Sequence, residues 1–453
     1  MKSLLVVTLS IFLACQFRLA GQNLQVNGYR GLWYGSDQQE GGLGISGGCA
    51  TFGPQYRPAA IYSPEAGKTY FVYGGTTSGN ERHLLIMVSY YDHKSSTLPR
   101  PTVVYDKSGV RGPSDNAAIS IDKSGFIWIF ISGWLRTRPG LIFKSVNPHS
   151  IEKFELVTEC EMIAPQPWWI NDKGFIVLFS KATGGREMFC MTSPDGKSWP
   201  ECRKILSMGG NSQVSELNGN KLVAAFNYCP DGAVEKQTNL YFIQTDDFGE
   251  TWKTADGKML ETPLKKPDNN ALIKEYLQEG KTVKINDVNF DRHGNPVILI
   301  TLTDYGKEAA LSEWGVYAWN NGKWSYNKVC DSSQKYEMGS LSINSDEWSI
   351  LAPVDPGPQK GYPGGEIALY TSSDSGQSWN KTRCITSESR YNNSFVRRPV
   401  GAHKDFSAFW ADGDPCMISE SNLYFTGIKS EKVWRMPYEM IREKQKAVRV
   451  NQK

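Results

Sequence analysis

Residues 56–75 read YRPAAIYSPEAGKTYFVYGG, and this stretch decides the fold. Ala59–Tyr62 is a short apolar strand, Pro64, Glu65 and Gly67 make a turn, and Thr69–Tyr73 is a second strand that stops at Gly74 and Gly75. β-Branched and aromatic residues bounded by Pro and Gly are the signature of a hairpin. The second strand is apolar at nearly every residue, so both of its faces are expected to be covered.

The same hairpin recurs along the chain. Later second strands stand at Phe126–Ile131, Phe175–Phe179, Lys221–Phe226, Pro296–Ile300, Trp348–Leu351 and Phe406–Trp410, each behind a polar turn. Their start-to-start spacings are 57, 49, 46, 75, 52 and 58 residues. A period near fifty with several short strands per unit means a β-propeller. The repeats predict an all-β, seven-bladed β-propeller. A single β-sandwich rarely exceeds ~250 residues. The longest spacing marks a rim insertion at 253–284, in which 268–280 (DNNALIKEYLQEG) reads as a short capped helix.

Third strands follow, and three of them lead into SPDGKSW (193–199), TDDFGETW (245–252) and SSDSGQSW (372–379). The last two fit S/T-x-D-x-G-x-S/T-W in full, and the first lacks one spacer. The Asp caps turn amides, the Gly takes a positive φ, and the Trp packs between blades. This is the Asp-box of BNR repeats, a mark of sialidase-like propellers. It speaks for the fold and says little of chemistry.

Met1–Gly21 reads as a secretory signal: Lys2, the apolar run Leu4–Cys15, then Leu19, Ala20 and Gly21. The run is too short to span a membrane. A lipid anchor at Cys15 is the lesser alternative, because Phe12-Leu13-Ala14 makes a poor lipobox. Residues 22–453 then form one propeller domain, secreted or periplasmic, without a membrane span and monomeric. A net charge of +3 from 50 basic and 47 acidic residues leaves no footprint for nucleic acid. The chain has no P-loop, dinucleotide fingerprint or HExxH motif, and no CxxC to suggest structural zinc, so no metal or cofactor is expected. Cys190 and Cys202 flank a turn almost symmetrically, which leaves a hairpin disulfide or two buried thiols as alternatives. The glycine-rich 41–48 stretch reads as a rim loop. Either Gln25–Tyr34 or Val433–Pro437 is expected to complete the blade that holds Phe406–Trp410.

Strands in a blade alternate direction, so residues before first strands and after second strands share one face. That face collects the candidate substrate-binding residues Tyr56, Arg57, Asn116, Trp134, Arg138, Gln166, Arg186 and Arg398, with Asp412 among further polar groups. Asp115, Tyr305 and Glu313 are the candidate catalytic groups. Aromatic rings stack on sugars and arginines hold carboxylates. Arg57, Arg138 and Arg398 each precede a proline (YRPA, TRPG, RRPV), and they are expected to converge as a clamp for a glycan carboxylate. The competing reading is that they bridge loops of adjacent blades. His93, His149, His293 and His403 fall elsewhere, and only His83 belongs to this face.

The runs NGYRGLWY (27–34), YRPAAIYSPEAGKTYFVYGG, YYDHKSSTLPRPTVVYDK (90–107), DNAAISIDKSGFIWIFISG (115–133) and SPDGKSW resemble a BNR-repeat propeller family. That family groups with ulvan-type polysaccharide lyases and an α-L-rhamnosidase of plant arabinogalactan. The resemblance is close over Asn27–Trp199 and looser beyond. It implies a glycan-directed propeller, with a poly- or oligosaccharide as its partner. The lyases' two histidines and tyrosine would fall at Ser114, Trp134 and Ala182, and the rhamnosidase histidine at Gln55 or Tyr56. The departures put both known chemistries in doubt. Three readings follow: cleavage of glycosidic bonds in acidic or rhamnose-containing polysaccharide, glycan binding without cleavage, or a sialidase. For the sialidase, Arg57, Arg398, Tyr305, Glu313 and Asp115 supply the residue types, although YRPA departs from the expected F/Y-R-I-P.

Overall fold

Short apolar strands joined by tight turns pair antiparallel with their chain neighbours. The computed structural model describes residues 23–34, 47–48, 50–77, 84–107, 115–134, 137–233, 236–306, 311–333, 338–344, 347–414, 417 and 419–450. Residues 1–22, which include the expected signal segment Met1–Gly21, most of the glycine-rich loop, His83 and Ser114 lie outside the described residues.

Residues 117–160 give the simplest sheet. Ala117–Ile121, Ile127–Ile131, Gly140–Ser145 and Phe154–Cys160 lie side by side in chain order. The sheets of residues 163–204 and 281–332 repeat that four-strand order. The first sheet holds Ala60–Ser63, Lys68–Gly75, Leu85–Asp92 and Thr102–Asp106, and Gly31–Tyr34 joins it with Gly31 opposite Gly75. The 213–274 sheet adds Leu272–Lys274 beside its third strand. Residues 340–450 form a nine-stranded sheet, two meanders joined where Gly365 pairs with Asn393.

The continuous apolar runs are explained by cover on both faces. In Ile127–Ile131, Ile127, Ile129 and Ile131 pack toward the first sheet, while Trp128 and Phe130 pack toward the 163–204 sheet. In Lys68–Gly75, Tyr70 and Val72 face the 117–160 sheet, and Phe71 and Tyr73 face the last sheet. Packing continues from the 163–204 sheet to 213–274, to 281–332 and to the last sheet. It returns to the first sheet where Phe71 stacks on Phe406 at 5.9 Å. Sheets therefore follow one another face to face around a centre, and Ala60–Ser63, Ala117–Ile121, Ile163–Ile170, Gln213–Asn218, Lys281–Phe290 and Ser340–Ile343 touch in turn from sheet to sheet, which puts the strand that opens each meander innermost, Asn392–Arg397 opening the last.

One expectation is revised and one pair of alternatives is decided. Residues 268–280 are not a helix: Leu272 and Lys274 pair with Tyr241 and Leu240, because the open edge of Thr238–Thr245 offers hydrogen bonds that an isolated short helix cannot match. Cys190 and Cys202 are free thiols, with Cys190 opposite Arg203 across the ladder. At the chain end, Val433–Arg435 pairs with Leu423–Thr426 and extends the meander of Ala408–Gly413, while Gln25 bridges Thr102 in the first sheet.

The Asp-boxes are capped turns. Asp247 accepts from the Thr251 amide at 3.0 Å, and Asp374 from the Ser378 amide at 2.9 Å. Gly196 has φ +70, and a Cβ there would stand 2.4 Å from the Trp128 ring. That ring is buried and held by Asp122 through its Nε1–H at 2.9 Å, so it has little room to give way. Gly196→Ala is expected to cost about 3 kcal/mol, positive-φ strain adding to overpacking. An unchanged urea midpoint would refute this account of the turn.

Candidate functional site

Four innermost strands bring their charged residues to one point. Arg57 precedes Ala60–Ser63, Arg398 follows Asn392–Arg397, Glu216 lies in Gln213–Asn218 and Asp287 in Lys281–Phe290. Arg57 Nη1 is 2.6 Å from Asp287 Oδ1, and its Nη2 is 2.6 Å from Glu216 Oε2. Arg398 Nη2 meets the same Glu216 oxygen at 2.5 Å, and its Nε meets Asp287 Oδ2 at 2.9 Å. All four side chains are buried. Burial alone would push the Asp287 carboxyl up, but Arg398, Arg57 and the Leu341 amide hold it below its ordinary value. Two arginines and two carboxylates cancel formally.

Arg57 and Arg398 thus converge as expected, but on carboxylates of the protein itself, and Arg138 joins Asp115 instead at 2.8 Å. The three-arginine clamp is not assembled, and the alternative of bridged loops between adjacent blades does not describe Arg57 and Arg398 either: they tie strands of the 213–274 and 281–332 sheets together across the centre. Tyr56 is turned into the core against Ile163 and Ala164, so its ring offers no stacking surface. Gln166 is fully buried: it donates to the Gln213 carbonyl at 2.8 Å and accepts from Ser215 Oγ at 2.6 Å. Asn116 is buried as well. These three serve packing and the polar interior.

The face where first strands begin, here the upper face, carries other polar groups. Gln55 reaches from the first sheet to donate to Ser212 Oγ at 3.0 Å, and Gln237 donates to the same oxygen at 3.1 Å. Trp134 is 44% exposed on a turn closed by its own amide on the Arg138 carbonyl at 2.6 Å. An accessible indole therefore stands next to the Arg138–Asp115 pair. Lys107 lies beneath, 3.4 Å from Asp115; burial pulls its amine down, and Asp115 opposes that. Arg186 Nε is buried without a hydrogen-bond partner among the described residues. Tyr305 is exposed, with Lys236 Nζ 6.0 Å from its ring. Glu313 lies on a third strand facing the fourth, where Tyr326 Oη donates to it at 2.5 Å. The tyrosine partner of Glu313 is therefore Tyr326 and not Tyr305, and the arginines of the sialidase set are already neutralised.

A cavity of about 260 Å³ opens between the two meanders of the last sheet. Asp412, Glu420, Tyr391, Tyr424, Arg390 and Arg435 line it. Asp412 follows the strand interior of Ala408–Gly413 and is buried. It accepts from the Asn422 amide and from Tyr424 Oη, each at 2.7 Å. Burial outweighs these bonds and pushes its carboxyl up to about 6. Arg435 Nε is buried and without a hydrogen-bond partner among the described residues. Of this lining the sequence marked only Asp412, a carboxyl closing an apolar strand.

Residues 115–332 match the BNR repeat-containing family. Two structures of an ulvan lyase of polysaccharide lyase family PL25 resemble this BNR-like chain with a TM-score of 0.69. They are 15% and 14% identical to it, and each comparison covers 89% of this chain and 96% of the other. The second is bound to -[GlcA(1-4)Rha3S]-. An α-L-arabinanase of Penicillium chrysogenum complexed with arabinobiose aligns at a TM-score of 0.43 and 10% identity, over 70% of this chain and 94% of that one. Curated proteins gave no match. These findings describe a BNR-like, all-β propeller that resembles polysaccharide lyases in fold. The described histidines, His93, His149, His293 and His403, all sit in connections on the opposite, lower face.

Proposed function

We propose that this chain is an exported, seven-bladed carbohydrate-active propeller whose upper face acts on glycosidic bonds of acidic or rhamnose-containing polysaccharide. Seven blades follow if the nine-stranded sheet is read as two blades meeting at Gly365 and Asn393. Export rests on the signal-like Met1–Gly21. The observation that carries the function is the cavity at Asp412. Its volume suits about one sugar residue, and it combines two guanidinium groups, two phenol rings and a carboxyl that stays protonated into the mildly acidic range. Arg435 and Arg390 would take a uronate carboxylate. Asp412 would supply the proton to the leaving oxygen, with Glu420 as the second carboxylate. Trp134, Arg138 and Arg186 would extend the surface for further sugars.

The test is incubation of the mature chain with acidic and rhamnose-containing polysaccharides. New reducing ends are expected, with a loss of about 100-fold or more in Asp412→Asn. Arg435→Ala should weaken a uronate oligosaccharide about 10-fold and its carboxyl-reduced form far less. Equal losses for both forms would remove the carboxylate from the proposal, and undiminished cleavage by Asp412→Asn would remove the acid.

A second reading, binding without cleavage, is supported by Trp134 and Ala182 at the positions where the resembled lyases carry catalytic groups. Saturable retention on these glycans with no new ends would favour it. Histidine-dependent β-elimination is not expected, so no unsaturated product absorbing in the ultraviolet should form.

A further inference from the structure

The seam between the first and last sheets carries a second cluster, on the lower face and apart from the cavity. His93 follows Leu85–Asp92 in the first sheet, and His403 and Asp405 lie in the turn after Asn392–Arg397. Backbone bonds stitch the two sheets close by: the Val400 amide donates to the Ala60 carbonyl at 2.9 Å, and the Tyr62 amide to the Val400 carbonyl at 3.0 Å. The His93 and His403 ring centroids are 3.8 Å apart. Each of His93, His403 and Asp405 offers one ligand atom, and the three atoms lie within 4.8 Å of one another.

We propose that His93, His403 and Asp405 bind a divalent transition-metal ion, with Zn2+ the best fit, and so clip the last sheet to the first. Two imidazoles and one carboxylate with room for water form the donor set of an open tetrahedral site. Imidazole nitrogen selects against Ca2+ and Mg2+, which take oxygen. One imidazole already has its supporting bond. Thr69 Oγ1 lies 2.8 Å from His93 Nε2, so Nε2–H can donate there and leave Nδ1 for the ion. That Nδ1 is buried and has no hydrogen-bond partner among the described residues. Tyr62 flanks both rings, at 5.3 Å from His93 and 5.0 Å from His403. Ligands at about 2.1 Å from a tetrahedral zinc stand about 3.4 Å apart, so the set must close by up to about 1.4 Å. Asp405 is exposed on a turn and has the freedom to do so. The ligands come from opposite ends of the chain, and a clip that closes a long loop is the kind that gains most in principle. The absence of CxxC bears only on thiolate sites, and this set needs no cysteine.

The experiment uses the full chain, free of any affinity tag and stripped with a chelator. Equilibrium dialysis should find one Zn2+ per chain. Co2+ should give visible d–d bands that vanish on adding Zn2+, and the melting temperature should rise with Zn2+ and fall back with chelator. His403→Ala and Asp405→Asn should each weaken Zn2+ at least about 10-fold. His293→Ala, in another turn of the lower face, should leave binding unchanged. Because Asp405 is exposed, Asp405→Asn tests the site without disturbing the core. Absence of saturable binding, or binding that survives both substitutions undiminished, overturns the site, whether or not the glycan reading holds.

Discussion

Arg398→Ala is expected to lower the unfolding free energy by about 3–5 kcal/mol, the cost of leaving a buried charge without its partner. Arg398 contacts both carboxylates of the central cluster, at 2.5 Å to Glu216 and 2.9 Å to Asp287, and also donates to the Val288 carbonyl at 2.9 Å. Arg57 bonds both carboxylates but brings one positive charge against two negative ones, so a buried charge would be left unbalanced. The loss should appear as a lower urea midpoint with an unchanged slope. The direction with pH follows from Asp287. Its carboxyl lies below its ordinary value in the folded chain, so its contribution is complete at neutral pH, above the unfolded value. It is lost as pH falls below about 4 and through the lowered folded value. Asp287→Asn should flatten that acid limb. A shift in Arg398→Ala of well under 1 kcal/mol would mean that the cluster opens to water, and would return Arg57 and Arg398 to the list of ligand-binding groups.

How far the sequence could be read follows from which features are local. Ile127–Ile131 could be recognised because a strand covered on both faces is apolar at every residue, and the turn before it is polar. The Asp-boxes are local too: Asp374, Ser378 and Gly376 bond within one turn. The prolines that follow them mark Arg57 and Arg398, but their partners Glu216 and Asp287 sit in other sheets with nothing nearby to mark them. Position before a first strand places Tyr56 and Gln166 at the open face, but it does not say which way a side chain turns there, and a one-residue difference turns it from solvent into the core. At Leu272–Lys274 the acidic start and glycine stop of a helix were present, yet a free strand edge claimed the backbone. The cavity at Asp412 depends on two meanders meeting, so Tyr391, Tyr424 and Arg435 carry no signal in their own neighbourhoods.

Asp412→Asn is expected to make the chain more stable at neutral pH and poorer in function. The folded chain holds this carboxyl up to about 6 from an ordinary value of 3.8, chiefly by burial. A raised acid binds its proton more tightly when folded, so stability falls as pH rises from about 4 to about 6, then levels off. The shift corresponds to roughly 3 kcal/mol at pH 7. Asparagine keeps the shape and an oxygen acceptor for the Asn422 amide but cannot ionise. The variant should therefore match the wild type near pH 3 to 4, gain on it through pH 6, and exceed it by up to roughly 3 kcal/mol at pH 7, read from urea midpoints along a pH series. If Asp412 is the proton donor, glycan cleavage by the wild type should also decline above about pH 6, and the variant should lose it throughout. A residue kept at a cost to stability and needed for turnover is the pattern of a functional carboxyl. A stability gap that does not change with pH would mean that Asp412 is solvated when charged, and a pH-dependent gap without any effect on glycan would leave it a structural acid.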